Sequence, residues 1–290
     1  MERLKEMIAA LGRLDRRYVY LVLLVSVGVP LIVPVSFRAE PSAETRRFVA
    51  ELDVSIEDPR PILVGVDYRP QTMAEMEPIL LAIMGHVFHA GKMVVFLNFT
   101  EETSPLLREN LAQMSQKYRL ENGKDYVYLG YAASYAQTIQ AMGRSIRDTL
   151  HADDRGVPLE DIPLFGKVQK LGDFSTVISV ASIAMADHWI SFGVTPYKFH
   201  FLAACTATKA VDYYPYLQTG QIKGLIAGGR AAAEYEGILE ERGVLETPGD
   251  ASRALGSQSL ALFTILAFVV FGNVGYLSGR LRNRRRRTRR

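Results

Sequence analysis

Two long stretches without a charged side chain constrain this chain more than any other feature: residues 18–37, YVYLVLLVSVGVPLIVPVSF, and residues 259–279, SLALFTILAFVVFGNVGYLSG. Twenty helical residues at about 1.5 Å each cover about 30 Å, the thickness of a bilayer's hydrocarbon core. Both runs therefore read as transmembrane helices. Pro30 and Pro34 in the first run are tolerated in a membrane helix, where neighbouring groups satisfy the freed backbone. Tyr18, Tyr20 and Phe37 lie near its two ends, where amphipathic rings favour the interface. A cleaved leader is the rival reading. The run is longer than an ordinary leader core and no small-x-small site follows in SFRAEPSAE, so an uncleaved anchor is expected. In the second run Gly275 and Gly279 form a GxxxG pair and Gly272 adds a third small residue. Such spacing either lets two helices approach closely or marks glycines near the membrane boundary. Asn273 either bonds to a partner helix or lies near the headgroups.

Charge orients the spans. Residues 1–17 carry five Lys/Arg against three acids, and residues 280–290, RLRNRRRRTRR, carry eight Arg and no acid. Positive flanks stay in the cytoplasm, so both ends are expected there. The expected division is a cytoplasmic segment 1–17, a span 18–37, an extracytoplasmic domain with its linkers 38–258, a span 259–279 and a cytoplasmic tail 280–290, in the cell inner membrane. Residues 18–279 carry 21 basic and 28 acidic groups, a net charge of −7. The overall charge of +3 thus belongs to the tails, and a nucleic-acid-binding body is not expected. A single cysteine excludes an internal disulfide framework and a cysteine-rich zinc site.

Between the runs, apolar strand patterns alternate with helical stripes. Strands are expected at 62–68, 92–99, 125–132, 176–182, 198–205 and 222–228. The helix over 72–90 carries Met73, Met76, Leu80, Ile83 and Val87 on one face, and the next, over 104–120, repeats the spacing with Leu107, Leu111, Met114 and Tyr118. A third helix is expected over 134–150, with Ile139, Met142, Ile146 and Leu150. Strands this continuously apolar belong to a sheet covered on both faces. The expected fold is therefore α/β: a three-layer, doubly wound, mostly parallel sheet of about six strands, Rossmann-like or flavodoxin-like, flanked by two transmembrane helices. Residues 151–173 are long for a connection and read as a lid, a partner-binding loop or a spacer. Residues 38–60 and 242–258 read as linkers to the membrane.

In an open parallel sheet, ligands bind beyond the carboxyl ends of the strands. Those ends carry Asp67, Asn98, Thr100, Ser182, Cys205, Thr206, Gly228 and Gly229, which are the candidate ligand-binding residues. Short polar residues also cap the following helices, which is the blander explanation for the same set. Cys205 before a helix suggests a nucleophile, yet neither His188 nor His200 is placed as its base, and a lone cysteine in LAAC is more often buried. His86 and His89 share a helix face without further metal ligands, so no metal is expected. The Gly228–Gly229 pair opens a helix where amides bind anions, but it forms neither GxGxxG nor a P-loop, and no cofactor is expected. Tyr213, Tyr214 and Tyr216 suggest a protein contact or packing around Pro215.

These features point first to a non-catalytic subunit or scaffold of a membrane assembly, with lipid, copies of itself or other membrane subunits as partners. A small-molecule sensor or presenting module is the second reading. A tethered hydrolase using Cys205 or Ser182 is the third.

Overall fold

The computed structural model describes residues 16–32, 40–247 and 249–287. They divide into two compact units, residues 38–252 and the flanking segments.

The larger unit is built on six parallel strands: β1 (Ile62–Asp67), β2 (Val94–Asn98), β3 (Tyr126–Tyr131), β4 (Thr176–Ala181), β5 (Phe201–Cys205) and β6 (Gly224–Ala227). Their order across the sheet is β3-β2-β1-β4-β5-β6. Of the two doubly wound orders expected, this is the Rossmann-like one, with its reversal point between β1 and β4. Every residue of β1, β2, β4 and β5 is buried, which explains why these strands lack a polar alternation.

Nine helices are described: α1 (Arg16–Ile32), α2 (Ala43–Glu57), α3 (Met73–His89), α4 (Thr103–Tyr118), α5 (Tyr135–Met142), α6 (Met185–Trp189), α7 (Ala210–Gln218), α8 (Gly228–Glu241) and α9 (Asp250–Arg287), besides short turns. One face of the sheet is covered by α2, α3, α4 and α8, through residues such as Phe48, Leu52, Ile83, Leu111 and Tyr235. The other face packs against Ile139 of α5, Trp189 of α6 and Tyr213 of α7, and against residues 159–174.

Two expected connections prove to be structural. Residues 38–60 are more than a linker: they contain α2, capped by the Ser42 hydroxyl accepting from Thr45 N at 3.2 Å, with Phe48, Val49 and Leu52 buried. Residues 151–173 form three tight turns (Leu159–Asp161, Pro163–Gly166, Leu171–Asp173) in place of a helix, with Leu159, Ile162, Phe165, Val168 and Leu171 in the core. The expected helix over 134–150 is correspondingly short and ends at Met142. Beyond α6 the chain makes a single π turn (Ile190–Val194). Gly193 fits there because a Cβ would lie 2.8 Å from the Phe199 ring.

In the smaller unit, one helix is long and apolar enough to cross a membrane, over Asp250–Val274. Its helical structure begins within the expected linker 242–258, ahead of position 259. The apolar part of α1, Arg17–Pro30, is shorter, and residues 33–37 of the expected first span lie outside the described residues. Ser26 Oγ and Thr264 Oγ1 are 2.9 Å apart, and Ser257 Oγ donates to Val27 O at 2.8 Å. Hydroxyls therefore join the two helices. A Cβ at Gly272 would meet nothing within 4 Å, so that glycine does not mediate the contact. The side-chain positions at Gly275 and Gly279 lie outside the described residues. Asn273 Nδ2 donates to Val269 O of its own helix at 2.8 Å.

Candidate functional site

The strand ends gather at the carboxyl edge of the sheet, but the candidate residues there fall into two groups. Asp67, Asn98, Thr100 and Ser182 surround the β1–β4 reversal, whereas Cys205, Thr206, Gly228 and Gly229 lie at the β5–β6 end.

In the β5–β6 group Cys205, Thr206 and Gly228 are closed in, whereas Gly229 faces open space. Cys205 is buried, and burial pushes its thiol up to about 12, so almost no nucleophilic thiolate exists at neutral pH. Thr206 is buried, with its hydroxyl 3.1 Å from that of Thr208. Gly228 has φ 78°, a left-handed conformation, and a Cβ there would lie 2.9 Å from Ala207 Cβ and 3.1 Å from Glu75 Oε1. Glu75 Oε1 in turn accepts from Ala207 N at 2.7 Å. A carboxylate of the protein thus occupies the neighbourhood where an anion would sit.

Of the β1–β4 group, Thr100 lines a cleft of about 350 Å³, and Asp67, Asn98 and Ser182 stand behind its wall. Its wall includes Arg69 after β1, Phe99, Thr100, Glu101 and Glu102 after β2, Tyr131 and Tyr135 around the end of β3, and Met185 and His188 of α6. Tyr135 and His188 stack with ring centroids 4.0 Å apart and planes at 25°, and Phe192 continues the stack at 6.1 Å. Burial lowers the proton affinity of His188, so the ring is neutral at pH 7. Tyr131 and Tyr135 expose 46% and 39% of their surfaces, which leaves aromatic faces open to a ligand.

Beneath the cleft lies a buried polar layer. Tyr128 OH donates to Asn98 Oδ1 at 2.6 Å, and Asn98 Nδ2 donates to Thr100 O at 2.7 Å and Ser104 Oγ at 3.0 Å. Asn98 is therefore spent on shaping the β2–α4 loop. Asp67 Oδ1 accepts from Phe99 N at 2.6 Å. Its carboxyl is pushed up to about 7, chiefly by burial, with the Phe99 amide and the Thr100 hydroxyl and amide pulling the other way. Ser182 N donates to Asp67 O at 3.1 Å, so Ser182 braces β1 through its backbone. Among the described residues, Asp67 Oδ2, Ser179 Oγ and Trp189 Nε1 are buried without a partner at full hydrogen-bond geometry, Thr100 acting on the Asp67 carboxyl only from outside it. Each such group costs about 1–3 kcal/mol if it stays unpaired.

No family model matches this chain, and neither does any curated protein or solved structure. The geometry must therefore carry the functional argument. Residues 68–72 contain no glycine, so the first loop offers no close backbone approach for a pyrophosphate. Among the described residues no three His, Cys, Asp or Glu side chains group to hold a metal. His86 Nδ1 lies 2.8 Å from Tyr235 OH and its Nε2 lies 3.1 Å from Asp53, in a network that joins α2, α3 and α8.

Reading strand ends found Asp67 and Thr100 but missed Tyr131, Tyr135 and Arg69, and weighed His188 only as a base for Cys205. The visible signal was the YAASY sequence, two tyrosines bracketing the end of β3.

Proposed function

We propose that the protein is a membrane-anchored ligand-binding module. Two spans hold it in the inner membrane with both ends cytoplasmic, and the α/β domain is extracytoplasmic and takes a small molecule in the β1–β4 cleft. The observation that carries the binding reading is the open Tyr135–His188 stack over a buried polar layer at the reversal point of the sheet. The anchor reading rests on the apolar helix Asp250–Val274, on the uncharged run 18–37 and on the arginine-rich flank. A binding role is favoured over cysteine-based catalysis because the one cysteine is buried with a raised thiol.

Thermal shift of the full-length protein in detergent against a broad metabolite panel tests this. At least one compound is expected to raise the melting temperature, and Tyr135→Ala is expected to abolish that rise. A panel without such a compound counts against the binding role.

A second reading, a subunit of a membrane assembly, is favoured by one observation. Val269, Val270 and Phe271 beside Gly272 run around α9 and are exposed, which leaves this turn open to lipid, a second copy or another subunit. Stoichiometric partners retained on mild solubilisation are its expected signature.

A further inference from the structure

The three unpartnered atoms beneath the cleft share one face of the two central strands. Gly65 pairs with Ser179 and Asp67 with Ala181 across β1 and β4. Side chains two residues apart on a strand point the same way. Gly65, Asp67 and Ser179 therefore share the face of Leu63 and Val177, against which Trp189 packs. The indole lies over Gly65, with Nε1 3.2 Å from where a Cβ would be. Phe99 links this layer to the cleft: its amide holds Asp67, its ring meets Trp189 edge-on at 5.9 Å, and it forms part of the cleft wall.

The chemistry of these atoms narrows the occupant. The Trp189 N–H can only donate, which disfavours a cation. Glu101 and Glu102 outnumber Arg69 at the cleft wall, which disfavours an anion. Asp67 Oδ2 needs a donor when the carboxyl is ionised, and Trp189 Nε1 needs an acceptor. One hydroxyl oxygen supplies both, whereas a planar amide divides the two roles between separate atoms and needs more room. Tyr135, stacked on His188 through one face, lines the cleft and stays 39% exposed, which leaves aromatic surface for the C–H face of a ring. A volume of about 350 Å³ suits a single ring and not a long chain.

We propose that the cleft binds a neutral polyhydroxylated ring, a monosaccharide or cyclitol. One hydroxyl sits among Asp67 Oδ2, Ser179 Oγ and Trp189 Nε1, and Phe99 yields to admit it. This inference rests on the ligand-binding reading of the cleft.

Calorimetric titration of the full-length protein in nanodiscs tests it, with glucose, galactose and myo-inositol set against adenosine, uridine, glucuronate and glucosamine. A neutral hydroxylated ring is expected to bind best, and Trp189→Phe and Ser179→Ala are each expected to weaken it at least tenfold. The unliganded Ser179→Ala protein is expected to melt no lower than the parent, because the change deletes an unsatisfied hydroxyl and removes little volume. A lower melting temperature together with no sugar binding would show that an internal water fills the seat, and would overturn the proposal. Binding of another compound that is lost in Tyr135→Ala but indifferent to Trp189→Phe and Ser179→Ala would overturn the hydroxyl seat and leave the cleft reading standing. If neither these compounds nor any in the broad panel bind in a Tyr135-dependent way, both fall.

Discussion

Asp67 shows how one buried side chain ties stability to pH. Burial moves its proton affinity from the ordinary 3.8 to about 7. Between those values the folded protein holds a proton that the unfolded chain has released, so stability falls as pH rises through the window. The contribution is fully present below about pH 4 and lost above about pH 7, a swing of up to about 4 kcal/mol. Glu236 is also raised by burial and acts in the same direction, so the parent alone does not isolate Asp67. The difference between the parent and Asp67→Asn does. Urea unfolding free energies should diverge in the asparagine variant's favour from pH 4 to 7 and run parallel above pH 8. Parallel curves throughout would mean that the carboxyl keeps its ordinary affinity. The position of Asp67 at a strand end was legible in the sequence. Its perturbation was not, because that depends on the Phe99 loop and the α6 side chains closing over it.

At the scale of elements, residues 159–174 carry a signal of their own. Leu159, Ile162, Phe165, Val168, Leu171 and Phe174 recur every third position and all are buried. Three residues per turn is the period of the tight turns observed there, which align side chains i and i+3 on one side. A search for helical and strand periods passes over this pattern, and the prolines at 158 and 163 make the segment look like a spacer. If it is core, Phe165→Ala should destabilise the protein by about 3–5 kcal/mol. A spacer would change by less than about 0.5 kcal/mol. Denaturant melts separate the two. The helix α2 was hidden for a different reason: its six charged residues among fifteen suggest a linker, although Phe48, Val49 and Leu52 already lie at helical spacing.

For the whole molecule, the proposed anchoring in a bilayer rests on exposed apolar surface. Many large apolar side chains of α1 and α9 are exposed, among them Leu24, Ile32, Phe263, Leu266 and Phe271. Water does not favour such a surface, and hydrocarbon does. If the two helices lie in a membrane as proposed, the bonds from Ser26 and Ser257 across them add only about 0.6 kcal/mol apiece, so they orient the pair more than they hold it. Protease added to intact spheroplasts should digest the α/β domain and spare an epitope placed at the arginine-rich end. A domain protected from that protease, or a chain released by alkaline carbonate, would refute the two-span arrangement.

What the sequence determined by itself is what depends on neighbours along the chain: the two uncharged runs, the alternation of strands and helices, and hence a parallel sheet covered on both faces. Hydrophobic burial writes those features locally, through periods of two and 3.6 residues and through charge that cannot enter hydrocarbon. The tertiary structure alone decided the strand order, and with it which strand ends meet. Tyr135 and His188 come from segments more than fifty residues apart and stack only because β1 has β2 on one side and β4 on the other. The same order separates Cys205 from the cleft and leaves Asp67 buried beneath it. Partner choice across a sheet is a long-range packing outcome, and no local period encodes it.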